Sequence, residues 1–238
     1  MSTKSFLPLC VALVGIVSLI PAAHATSITY NASGTGSDGP LSASAAFVTS
    51  AGQLQITLTN TLSASVIQSA GQALSDISFT LSNAPGTLGS MTASGQEGNI
   101  STTGVVTYTS GTPGRFLGSG GGTFSITGST VLLEAIGGGQ PTQMIVPLLP
   151  NGGTYTNVNG GFSNFDPYTI GPATFTLNLS GVTAGTTISN VNFSFGTGPD
   201  TFLPGTPTPP VPEPSSLLML GTGIIGAAGM LRRRLLAA

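Results

Sequence analysis

Apolar and polar residues alternate in short runs along the middle of this chain. Leu54, Ile56 and Leu58 alternate with Gln55, Thr57 and Thr59. Ile77, Phe79 and Leu81 alternate with Ser78 and Thr80, and Phe175, Leu177 and Leu179 with Thr176 and Asn178. Val191, Phe193 and Phe195 alternate with Asn192 and Ser194. A period of two puts one set on each face of a strand, so each run predicts a strand with one buried and one wet face. Further strands are expected at 27–31, 45–50, 105–110, 123–127, 131–136 and 144–148. Gly, Pro and Asn clusters separate them at 34–40, 85–89, 111–114, 118–122, 137–141 and 150–153. Strands near 174–180 and 188–195 are expected to form a closing hairpin. No repeat of 20–50 residues is visible, which disfavours a solenoid or propeller. The expected fold is all-β: an antiparallel β-sandwich, jelly-roll-like, over residues 26–198.

Residues 199–211 read as a Pro-rich linker. Pro199, Pro204, Pro207, Pro209 and Pro210 are followed by Pro212 and Pro214. Such spacing argues against a sheet ladder and for polyproline II. As an extended spacer, 199–214 would reach on the order of 50 Å.

The two ends carry a different pattern. Lys4 precedes an apolar run from Phe6 to Ile20, and Pro21-Ala22-Ala23-His24-Ala25 follows. A short basic start, an apolar core and an A-x-A exit at Ala23 and Ala25 predict a signal peptide, 1–25, removed by signal peptidase after passage through the general secretion machinery. Cys10 lies inside the apolar run, so a lipoprotein reading fails. At the other end, Pro212-Glu213-Pro214 leads into an uncharged span, 215–231, closed by Arg232, Arg233 and Arg234. As a helix this span would reach roughly 25 Å, enough to cross a thin bilayer. The arginines would stay on the cytoplasmic side and set topology. Gly223 and Ala227 form a small-xxx-small pair suited to packing against another helix.

The tail VPEPSSLLMLGTGIIGAAGMLRRR resembles the PEP-CTERM sorting signal of Gram-negative bacteria. The resemblance covers about a tenth of the chain. It implies a sorting signal at 212–234, with Pro212, Glu213 and Pro214 as recognition and cleavage motif and exosortase as the membrane-embedded partner. It also implies transient residence in the inner membrane, then the cell surface or the extracellular space. It implies nothing about the activity of the domain ahead of it.

Removal of both ends narrows the chemistry. The segment from Thr26 to Pro214 keeps one basic residue, Arg115, against Asp38, Asp76, Glu97, Glu134, Asp166, Asp200 and Glu213. One arginine cannot line a phosphate-binding groove, so nucleic acid is excluded as a partner. The only Cys and the only His fall in the removed leader, and no Lys remains. Ser–His, Cys–His and His-based zinc chemistry are then out of reach, and no cofactor is implied. A carboxylate pair for glycoside hydrolysis would have to come from Glu97 and Glu134, which nothing in the sequence brings together. Asp38 and Asp166 read as turn residues that cap their own backbone, and the Gly118–Gly122 run reads as a flexible loop. The expectation is a non-enzymatic protein.

Two functions of different classes fit. One is a structural or adhesive surface or matrix protein associated with exopolysaccharide. The other is a ligand-binding module for carbohydrate or ice, for which Thr57/Thr59, Thr107/Thr109 and Thr154/Thr156 are the Thr-x-Thr pairs.

Overall fold

The computed structural model describes residues 26–150, 153–198 and 201–208. They form thirteen strands and four short 3-10 turns. In chain order the strands are β1 (Thr26–Gly36), β2 (Gly39–Ser50), β3 (Gln53–Asn60), β4 (Leu74–Leu81), β5 (Leu88–Ile100), β6 (Val106–Thr109) and β7 (Thr123–Thr127). There follow β8 (Thr130–Glu134), β9 (Ile145–Val146), β10 (Tyr168–Leu179), β11 (Ile188–Phe195), β12 (Thr201–Pro204) and β13 (Thr206–Thr208). All belong to one large, mostly antiparallel sheet, whose main path is β12-β11-β4-β9-β10-β3-β2-β1-β13. The all-β expectation is met.

Within this path the two-residue β9 links β4 to β10, and strands far apart along it share the core. Phe47 of β2 meets Phe79 of β4 with ring centroids 5.0 Å apart. The Tyr30 hydroxyl on β1 donates to the carbonyl of Ile188 on β11 at 2.6 Å. All twelve apolar positions of the four alternating runs are buried, from Leu54 through Phe195. Their polar neighbours Gln55, Thr57, Thr59, Thr176 and Asn178 remain half-exposed. Period two therefore set the faces correctly, because a one-residue slip would have driven these phenylalanines into water.

Three expectations change. The closing hairpin does not form: β10 pairs with β3, β5 and β9, while β11 pairs with β4 and β12. The 181–187 connection joins two strands that are not neighbours in the sheet. The second change is β5, thirteen residues long, which alternation did not reveal. Its inward positions include Met91, Ala93 and Gly95, too small or too flexible to register as an apolar stripe. The third concerns the Pro-rich segment. Residues 201–204 pair with β11, and 206–208 pair with β1, with Pro204 opposite Asn192 and Pro207 opposite Tyr30. Both strands are sheet edges, where the missing N–H of proline costs no ladder bond. One continuous stretch of chain thus ties together the two ends of the sheet path.

Candidate functional site

The described charges are few and mostly hidden. Asp76, Glu97 and Arg115 are buried, Glu134 and Asp166 are half-buried, and Asp38 alone is exposed among the described residues. The three buried groups lie in different surroundings.

Asp76 on β4 stands directly opposite Glu134 on β8. Its Oδ1 accepts from the Ala135 N–H at 3.1 Å and its Oδ2 from the Ser75 hydroxyl at 3.2 Å. Burial is the main cause that pushes its pKa up, to about 7, and the Glu134 carboxylate pushes the same way. The hydrogen bonds pull down but do not offset the lost hydration. No local pattern announces this pairing, since 57 residues lie between the two acids and register alone joins them.

Glu97 sits elsewhere, on β5 between β10 and β6. It does not share the Asp76–Glu134 site through any strand pairing. Its Oε1 and the Oγ1 of its cross-strand neighbour Thr109 are both buried without a hydrogen-bond partner. Burial raises its pKa. Among the described residues no third His, Cys, Asp or Glu joins either location to make a metal-sized cluster.

Arg115 is a clasp. Its backbone N–H donates to the Gln143 side-chain oxygen at 2.7 Å. Its Nε donates to the Ala135 carbonyl and its Nη1 to the Gly120 carbonyl, while Nη2 is buried without a partner. Burial lowers its pKa. Of the Gly118–Gly122 run, Gly120 thus meets the guanidinium through its carbonyl. Asp166 also departs from expectation: its Oδ1 accepts the Ile100 N–H of β5 at 2.8 Å instead of capping its own turn. Asp38 does lie in the β1–β2 turn, and its Oδ2 accepts from the Ser69 hydroxyl at 3.2 Å.

The outer face of β1, β2, β3, β10 and β5 carries no charged residue. One row runs Thr208, Thr29, Ala46, Thr57, Thr174, Ser94 across six strands. The next runs Ser27, Val48, Gln55, Thr176, Thr92. Neighbours in these rows fix one another: Thr57 and Thr174 hydroxyls lie 3.1 Å apart, and Gln53 donates to Asn178 at 3.1 Å. Of the Thr-x-Thr pairs, only Thr57/Thr59 belongs here. Thr107/Thr109 is on β6, and Thr154/Thr156 is in a loop where Thr154 bridges to Val105. The three pairs do not make one array.

Where β12 and β13 both lie against β1 there is a groove of about 640 Å³. Asn31, Ser42, Thr61 and Thr206 line it beside Leu203 and Pro204. The Ser42 and Thr61 hydroxyls are 2.6 Å apart, and Asn31 Nδ2 donates to Thr208 at 2.7 Å. Sequence alone hides this groove because Leu203 and Pro204 fall in the Pro-rich stretch that reads as a linker.

The described residues thus define an all-β domain with an almost charge-free surface. The tail says more: the PEP-CTERM protein-sorting motif matches residues 210–234. The chain carries that motif, consistent with an exosortase substrate. Neither the curated proteins nor the solved structures gave a match to this chain. Pro212, Glu213, Pro214, the 215–231 span, Arg232, Arg233, Arg234, the signal-peptidase residues Ala23 and Ala25, and the whole 1–25 leader lie outside the described residues. Among the described residues no helix is long and apolar enough to cross a membrane.

Proposed function

We propose that this chain is an exported, exosortase-sorted protein of the cell surface or extracellular matrix, with a structural or adhesive rather than enzymatic role beside exopolysaccharide. The observation that carries the reading is the sorting motif at 210–234. Export through the inner membrane, cleavage by signal peptidase after Ala25 and removal of the tail near Pro212–Pro214 follow from the order of the two terminal signals. The ectodomain in this reading is a two-layered, sandwich-like body. Its nearly uncharged surface supports residence among neutral hydroxylated polymers, where like-charge repulsion is absent. The test compares intact mass and location of the protein in host cells with and without exosortase. Loss of tail removal and retention in the membrane fraction are expected in the deletion strain. Unchanged mass and location there would overturn the reading.

A further inference from the structure

We infer that the groove between β1, β12 and β13, with the uncharged face that continues from it, binds a segment of neutral polysaccharide. The inference rests on the surface-adhesion reading and names its ligand class and site. Three observations carry it. First, the groove's volume, about 640 Å³, lies in the range of ligand pockets and suits a short stretch of sugar units. Second, its chemistry is that of a sugar. Asn31, Ser42, Thr61 and Thr206 offer hydroxyl and amide groups to hydroxyls, while Leu203 and Pro204 offer an apolar wall to the C–H face of a ring. Third, charge decides which polymer fits. No charged residue lines the groove, and the one described cation, Arg115, is buried in its own clasp. An anionic polymer would find no counter-charge there and would lose hydration without compensation.

The groove is continuous with the face. Asn31, in its wall, stands opposite Ser44, and Ser44 opposite Thr59. Strand spacing of about 4.8 Å places successive hydroxyls within reach of successive sugar hydroxyls on a chain lying across the strands. A polymer longer than the groove would therefore add contacts row by row, each weak and jointly substantial. A second copy of this chain is a poorer occupant: its own face would bring the same hydroxyl and amide rows, in which Ala46 and Val48 are the apolar members.

The test uses the full chain, purified in non-ionic detergent, on immobilised neutral glycans (β-glucan, galactomannan, dextran) and anionic ones (alginate, polygalacturonate). Binding to at least one neutral glycan is expected, tighter for a hexamer than for a dimer and unchanged between low and high salt. Asn31→Ala with Thr61→Ala removes two polar contacts and is expected to weaken it about tenfold. Ser33→Trp, at an exposed position of the groove wall, fills the space without deleting any hydrogen bond and should abolish binding with melting temperature unchanged. Thr130→Ala, exposed at the start of β8, should bind as the parent does. Preference for the anionic glycans, equal binding by the groove variants, thermal hysteresis in place of glycan binding, self-association through this face, or no binding to any neutral glycan would each overturn the inference. Processing of the same variants is followed in host cells. Normal export and tail removal without glycan binding would sink the inference and leave the sorting reading standing. Failure of processing in the parent chain would sink the sorting reading itself.

Discussion

Asp76 makes the stability of this domain fall as pH rises. In the unfolded chain its carboxyl titrates near 3.9. In the folded domain burial and the facing Glu134 move it to about 7. The folded state therefore holds the proton more tightly. The associated stability is fully present below about pH 4 and is lost as pH climbs through about 7. Moving the carboxyl from near 3.9 to about 7 corresponds to as much as about 4 kcal/mol between these limits. Glu97 and Asp166, both raised by burial, act in the same direction. Asp76→Asn replaces the carboxylate by a neutral group of the same shape. The amide oxygen can still accept from the Ala135 N–H, and its nitrogen can donate to the Ser75 hydroxyl or to Glu134. The variant should gain on the order of 2–4 kcal/mol over the parent at pH 8, and its pH dependence should flatten. Urea denaturation from pH 4.5 to 8.5, followed by tyrosine fluorescence since the chain has no Trp, measures both quantities. A parent protein that gains stability from pH 5 to 8, or an Asn variant weaker than the parent at pH 8, would refute the reasoning. Either result would mean that Asp76 is hydrated or stands beside a cation.

Phe193 is fully buried on β11, so Phe193→Ala should cost about 3–5 kcal/mol, through lost burial and a cavity; Thr176→Ala, on the wet face of β10, should cost far less, and equal small losses in urea would contradict the face assignment. A Cβ at Gly122 would stand 1.8 Å from the Arg115 carbonyl oxygen and 2.6 Å from that of Glu134, so Gly122→Ala should destabilise by about 3 kcal/mol or more, read as a lower melting temperature. Changing Arg232, Arg233 and Arg234 to Asn should let part of the tail translocate, scored by protease protection in spheroplasts; normal topology would remove their assigned role.

Legibility of this sequence tracked the size of the side chains. Where Leu, Ile and Phe alternated with Thr and Asn, both the strand and its faces could be read. Where the inward residues were Ala, Gly and Met, as on β5, the same geometry left no trace. Pairing was illegible throughout, because Asp76 finds Glu134 and β11 finds β4 through register that no local pattern encodes. The sorting motif was the opposite case. Its signal is linear, so it could be read without the fold. Its chemistry lies outside the described residues, so the fold adds nothing to its geometry.

The Pro-rich segment joins these two kinds of information and changes what the tail does. Read as a spacer, residues 199–214 would hold the domain on the order of 50 Å from the membrane. With 201–208 bound into both edges of the sheet, β13 ends at Thr208, and three residues separate it from Pro212. That stretch spans at most about 14 Å from Thr208 to Pro212. A membrane-embedded enzyme that acts at Pro212–Pro214 would then meet the folded domain at once. Either the β1 edge faces the membrane during processing, or β13 leaves β1 to lengthen the tether. The two are separable by insertion. Eight Gly/Ser residues placed after Thr208 should leave processing unchanged if the edge faces the membrane without obstruction, and should speed it if peeling of β13 limits the reaction. A pulse-chase of tail removal decides between them. Slower processing with the longer tether would contradict both, and would mean that the enzyme reads the β13 edge together with the motif.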